Sequence, residues 1–140
     1  MNKEKILEVL NKILEHELSG VVRYTHYALM VFGHNRIPII GWLREQATES
    51  LGHANVAGEH ITSLGGHPSL KMAGLLETHK HKINDILAES LEHEKVQLGL
   101  YRSLLESIGD HVALEEYARE MIRDEQEHIN EVEKMLRAPE

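Results

Sequence analysis

Apolar residues recur three, four or seven positions apart through four long stretches of this chain, and glycine-centred breaks separate the stretches. That period places them on one face of a helix, so the sequence commits to long amphipathic helices. The first runs from about Asn2 to Phe32 on Ile6, Leu10, Ile13, Gly20, Tyr24 and Val31, and Gly33-His34-Asn35 ends it. The second opens at Ile37-Pro38 and continues through Leu43, Ala47, Ala54, Ala57 and Ile61 to Leu64, before Gly65-Gly66-His67-Pro68. Proline in the first turn and glycine just past the last are the expected helix punctuation. The third covers Lys82 to Ser107 on Ile83, Ile86, Leu87, Leu91, Val96, Leu100 and Leu104, and Gly109-Asp110 breaks it. The fourth covers His111 to Arg137 on Leu114, Ala118, Met121, Ile122, Ile129, Val132, Met135 and Leu136. Short links join helices one to two and three to four, which makes each pair an antiparallel hairpin. The stretch from Gly65 to His81 is long enough to run the length of a bundle. The expected fold is all-α: one domain over residues 1–140, an antiparallel four-helix bundle with a long crossover between helices two and three.

Charge and composition narrow the chemistry. Fifteen Lys and Arg face 23 Asp and Glu, a formal charge of −8, which disfavours nucleic acid and anionic membranes as partners. Cysteine is absent, so thiolate metal sites, disulfides and cysteine nucleophiles are excluded. No apolar run approaches the ~20 residues of a membrane span, and no signal-peptide core follows the charged start, so a cytoplasmic setting is expected. Eleven histidines among many carboxylates leave oxygen and imidazole as the donors for any metal.

The helix faces that should form the core carry acids. Glu17 follows Leu10 and Ile13 at seven and four residues, and Tyr24 lies seven further along. Glu125 follows Met121 and Ala118 in the same way, His128 is three residues beyond it, and Glu92 sits midway along the third helix. An unpartnered buried carboxylate costs several kcal/mol, so acids converging on one core call for a cation. An internal repeat sharpens this reading. A shift of 75 residues lays Glu17 on Glu92, His53 on His128, Asn55 on Asn130 and Glu49 on Asp124. Two hairpins carrying acid and imidazole at matched positions would bring both sets to one central point. The repeat has one gap, because Glu125 maps onto Ser50.

These residues resemble the bacterioferritin branch of the ferritin-like di-iron superfamily, over most of the chain from about Leu7 to Leu136. The resemblance implies a ferritin-like bundle in which Glu17 and Glu92 are terminal carboxylate ligands, His53 and His128 imidazole ligands and Glu125 a bridging carboxylate. Tyr24 matches the tyrosine kept beside the iron pair, with a redox or site-adjacent role. Asp124 matches an acid that orients a ligand histidine, with Glu49 at the equivalent place in the first hairpin. Glu49 is four residues from His53 and is also a candidate ligand, and Glu89 is a candidate for an extra carboxylate. The haem-binding form carries a methionine where this chain has Leu51, so no haem is expected. The cage form has a fifth helix for which the chain after Arg137 has no room, so the expected assembly is a homodimer, with Val22, Leu29, Ile40 and Trp42 as spare apolar surface. The implied function is a ferroxidase of iron homeostasis that binds two iron ions per bundle and oxidises Fe(II) with dioxygen or peroxide. Two alternatives stay open: a metal-binding helical dimer whose site Ser50 has degraded, and a di-iron oxidase or peroxidase with a substrate other than iron. His16, His34, His60, His79, His81, His93 and His111 are expected on the surface or in loops.

Overall fold

The computed structural model of the protein describes residues 2–139. Four helices account for most of them: α1 (Lys3–Met30), α2 (Arg36–Ser63), α3 (Ile83–Ser107) and α4 (Val112–Leu136). These bounds lie within about two residues of those expected from the apolar period and the glycine breaks, the spread normal for helix ends. Local chemistry fixes the ends. The Asn2 side chain accepts from Lys5 N at 3.1 Å and caps α1, and His111 Nδ1 accepts from Leu114 N at 3.2 Å and caps α4. Gly65 and Gly109 take positive φ, 80° and 70°, and turn the chain out of α2 and α3.

The helices pack as two antiparallel hairpins. Glu17 meets His53 while Gly20 meets Ser50, so α1 and α2 run in opposite directions. Glu17 meets Tyr101 while Tyr24 meets Glu94, so α1 and α3 are antiparallel as well. The crossover from α2 to α3 runs along α1. Asn11 holds the backbone of His67 and Ser69, Ala73 N donates to Glu15 O, and His26 meets Glu77. The loop therefore travels from one end of the bundle to the other, as its length requires. No helix among the described residues is long and apolar enough to cross a membrane.

Two apolar cores fill the bundle. One gathers Ile6, Leu10, Ile13, Ile61, Leu104, Leu114 and their neighbours, and the other gathers Tyr27, Val31, Leu43, Ile86, Leu87 and Val132. Each fully buried aliphatic side chain contributes about 1.5–3 kcal/mol. Between the cores lies a layer of polar side chains: Glu17, Gln46, Ser50, His93, Glu94, Gln97 and Glu125 are all less than 9% exposed. The third helix keeps most of its expected face, with Ile86, Leu87 and Leu104 buried, but Val96 is 54% exposed, and Ser90, Glu94 and Gln97 join Leu98 and Tyr101 in the interior.

Candidate metal centre

At mid-bundle, α1, α2 and α4 bring Glu17, His53 and Glu125 together, with one donor atom from each within 4.8 Å of the others. His53 Nδ1 lies 2.9 Å from Glu17 Oε2 and 3.9 Å from Glu125 Oε1. The remaining helix, α3, adds a carboxylate that the spacing of the sequence did not single out. Glu94, 5% exposed, shares a hydrogen bond with Glu125 and accepts from the Tyr24 hydroxyl at 2.5 Å. A matching bond runs the other way, from the Tyr101 hydroxyl to Glu17 Oε2 at 2.9 Å. Each hairpin thus sends a tyrosine across to the other's buried acid.

Glu92 is not part of this layer. Its side chain is 76% exposed and faces Lys95 at 3.8 Å. The physical reason is the helical turn: two residues are about 200° apart around a helix, so Glu92 and Glu94 point to opposite faces. The repeat picked the exposed acid rather than the buried one because its offset is not constant. Glu17 with Glu94 and Tyr24 with Tyr101 are related by 77 residues, whereas His53 with His128 are related by 75. The two-residue change is shared: the turn Val31–Asn35 is one residue longer than Ile108–His111, and His53 stands one residue further into α2 than His128 does into α4. Only a weaker signal marked Glu94: Leu87 stands seven residues before it and Leu98 four after it, but Ser90 breaks the pattern that singled out Glu17.

The other candidates divide. Glu49 is exposed but lines a cavity of about 440 Å³ together with Trp42, Gln46, His53, Asp124, Glu125 and His128, so it stands at the entrance to the cluster. Asp124 lines the same cavity, and its carboxylate is taken by Arg123 at 3.3 Å. Glu89 faces away from the cluster and binds Arg23, Tyr27 and Thr78. Tyr24 is fully buried beside the cluster, 6.4 Å from the His128 ring. Leu51 is 46% exposed. His16 and His93, expected at the surface, are instead buried and stacked, with ring centroids 4.0 Å apart, and His16 Nδ1 donates to Gln97 Oε1 at 2.5 Å.

The layer around Ser50 explains how the chain fills the position without a carboxylate. Ser50 is 6% exposed and packs against Gly20 of α1. Ser50 Oγ and His93 Nε2 both approach the point where a Gly20 Cβ would stand, at 2.8 and 3.1 Å. The short serine and the absent glycine side chain leave room that the His93 ring uses.

Protons in the cluster follow from burial and from neighbouring charge. Burial pushes the Glu125 carboxyl well above the usual carboxylate range, and the hydrogen bond and charge of Glu94 push it further. Burial acts on Glu94 in the same direction, but its bond from Glu125, the nearby His128 and the Tyr24 hydroxyl outweigh it and hold Glu94 below its ordinary value. Burial raises Glu17 despite the opposing pull of His53. Burial disfavours a charged His53, yet its hydrogen bond to Glu17 and the surrounding acids leave its pKa raised.

The residues fit a metal. Glu125 Oε2 and His128 Nε2 are buried with no hydrogen-bond partner among the described residues. Unpaired buried donors and acceptors are costly, and oxygen with imidazole suits iron, manganese or zinc. Residues 7–140 match the family model for the ferritin-like domain. The chain belongs to the ferritin-like domain family. Among this ferritin-like protein's relatives, the bacterioferritin of Brucella melitensis is 28% identical over 137 residues, covering 94% of this chain and 83% of the relative. The bacterioferritin of Rhodobacter capsulatus is 27% identical over 135 residues, with the same coverage. Its crystal structure, described as having a metal-free dinuclear site and haem iron, superposes with a TM-score of 0.81 at 26% identity, over 95% of this chain and 84% of that one. A ferritin-like di-iron-carboxylate protein of Bacillus anthracis superposes with a TM-score of 0.91 at 24% identity, covering 96% and 97%, which shows the shared fold.

Proposed function

We propose that this ferritin-like protein binds iron at the mid-bundle cluster and oxidises Fe(II) with dioxygen or peroxide. The observation that carries the reading is the convergence of Glu17, His53, Glu94, Glu125 and His128 with two ligand atoms buried and unpartnered. Bacterioferritins as relatives support iron as the ion. Fe(II) is the substrate: two ferrous ions give up one electron each, and one peroxide with two protons leaves as two waters.

The chain's own residues have separate tasks in this reading. Glu17 and Glu94 are the terminal acids, held in place by Tyr101 and Tyr24 from the opposite hairpin. Such outer hydrogen bonds fix ligand orientation. Glu125 reaches from α4 to His53 of the first hairpin, and its raised pKa favours the protonated carboxyl until a cation competes for it, so metal uptake favours proton release. Glu49 and His53 face the cavity through which ions and oxidant enter.

Elemental analysis and Fe(II) oxidation followed by absorbance test this reading. Wild-type protein should hold up to two iron-class ions per chain, and the double variant Glu125→Ala, His128→Ala should hold none at this cluster. Full metal content in that variant, with unchanged oxidation rate, would overturn the assignment. Ser50 favours a second reading, binding without turnover. It would be supported by full metal content with Fe(II) oxidation no faster than in the double variant.

A further inference from the structure

A second group of metal-type donors lies outside the central layer, where the crossover passes α1. His26 comes from the outer side of α1, and Glu77 and His81 come from the crossover. One donor atom from each lies within 4.8 Å of the others. Glu77 Oε2 is 3.0 Å from His26 Nε2, and Glu77 Oε1 is 3.8 Å from His81 Nε2, so each carboxylate oxygen faces one imidazole. The two rings stand 5.5 Å apart at 67°.

Three features distinguish this group from an ordinary surface ion pair. Both Nε2 atoms are shielded from solvent, and neither has a properly aligned hydrogen-bond partner among the described residues. The intervening turn is shaped to bring the donors together. His79 adopts a left-handed φ of 58°, rare for a residue with a side chain, and its N–H donates to Glu77 Oε1 at 2.6 Å. The position is also anchored from beside it, because Thr78 donates to Glu89, which Tyr27 and Arg23 hold to α1. Glu77 and His81 therefore sit on a loop fastened to the helix that carries His26.

We propose that His26, Glu77 and His81 bind one divalent transition-metal ion that clamps the crossover to α1. Two imidazoles and one carboxylate suit zinc and its first-row neighbours, and three protein ligands leave a fourth position for water. Ligand atoms around tetrahedral zinc stand about 3.3 Å apart, and one donor atom from each residue already lies within 4.8 Å of the others, a gap that side-chain adjustment can close. The site shares no residue with the central cluster and does not depend on the function proposed there.

Zinc titration by calorimetry tests the proposal, using wild-type protein, the central double variant Glu125→Ala, His128→Ala, and that variant with His26→Ala or His81→Ala added. The central variant should keep one zinc equivalent per chain, and either added substitution should remove it. Circular dichroism confirms that the helices are intact. Limited trypsin digestion reads the clamp directly. Zinc should slow cleavage after Lys80 and Lys82 by several-fold in the central variant and have no effect once His81 is replaced. Undiminished zinc stoichiometry in the His26 and His81 variants would overturn the site. Zinc binding without any change in cleavage would overturn the clamp.

Discussion

At residue scale, the choice between Glu92 and Glu94 decides which face of α3 carries the site. Glu94→Gln keeps the shape of the side chain but removes the charge beside Glu125 and His128, so it should lower occupancy of at least one metal by about tenfold or more. Glu92→Gln removes a surface acid paired with Lys95 and should change occupancy by less than about twofold. Equal losses in the two variants, read by equilibrium binding, would reverse the placement. His93 makes a second prediction. Burial, then the neighbouring His16 ring, depress its pKa from 6.5 to about 3. The folded ring stays neutral where the unfolded ring takes up a proton, so stability falls as pH drops from 6.5 towards 3. With chelator present, wild type should lose about 2 kcal/mol more than His93→Gln between about pH 7 and 5. Urea unfolding at both pH values measures this, and parallel losses would contradict it.

At element scale, the two hairpins are copies with a slipped register. Their inner helices exchange tyrosine–glutamate bonds, Tyr24 to Glu94 and Tyr101 to Glu17, across an antiparallel contact. The α1–α2 contact narrows at Gly20 and Ser50. A methyl group added at Gly20 would stand 2.8 Å from Ser50 Oγ and 3.3 Å from Ser50 Cβ. Alanine gains up to about 1 kcal/mol of helix propensity over glycine, while overpacking costs about 1–3 kcal/mol. Gly20→Ala should therefore destabilise by about 1 kcal/mol, and Ser50→Ala in the same chain should recover the part of that loss due to Ser50 Oγ, while His93 Nε2 stays 3.1 Å away. A thermal-unfolding double-mutant cycle measures the coupling. Additive effects would show that the two helices are not in register at this pair.

At the scale of the whole molecule, apolar side chains remain uncovered on the first hairpin. Val22 and Leu29 on α1 are 44% and 60% exposed, and Leu51 and Val56 on α2 are 46% and 44% exposed. Ile40 and Trp42, expected to share this surface, are half-buried against the second core. A second copy of the chain would cover the exposed side chains by a twofold contact. We expect a dimer of about twice the 16.0 kDa chain mass by light scattering, and Leu29→Glu should shift it towards monomer. A particle of several hundred kDa would replace the dimer with a shell.

The amino-acid sequence alone specified the helices, their order and the long crossover. Those follow from local rules: apolar period, glycine and proline breaks, and the reach of a connecting segment. It also determined that acids and imidazoles belong in the core, and Glu17, His53, Glu125 and the Tyr24 neighbourhood could be named from their spacing. The partner from α3 could not be assigned by a fixed offset, because the hairpins differ by two residues between their carboxylate and histidine positions, and an error of two positions lands on the opposite face of a helix. Only tertiary packing revealed that Glu94 rather than Glu92 turns inward, and that His16 and His93 stack in the interior. The same holds for His26, Glu77 and His81, whose meeting depends on the path of the crossover over α1. Residues 51 and 55 positions apart come together there, and no helical period links them.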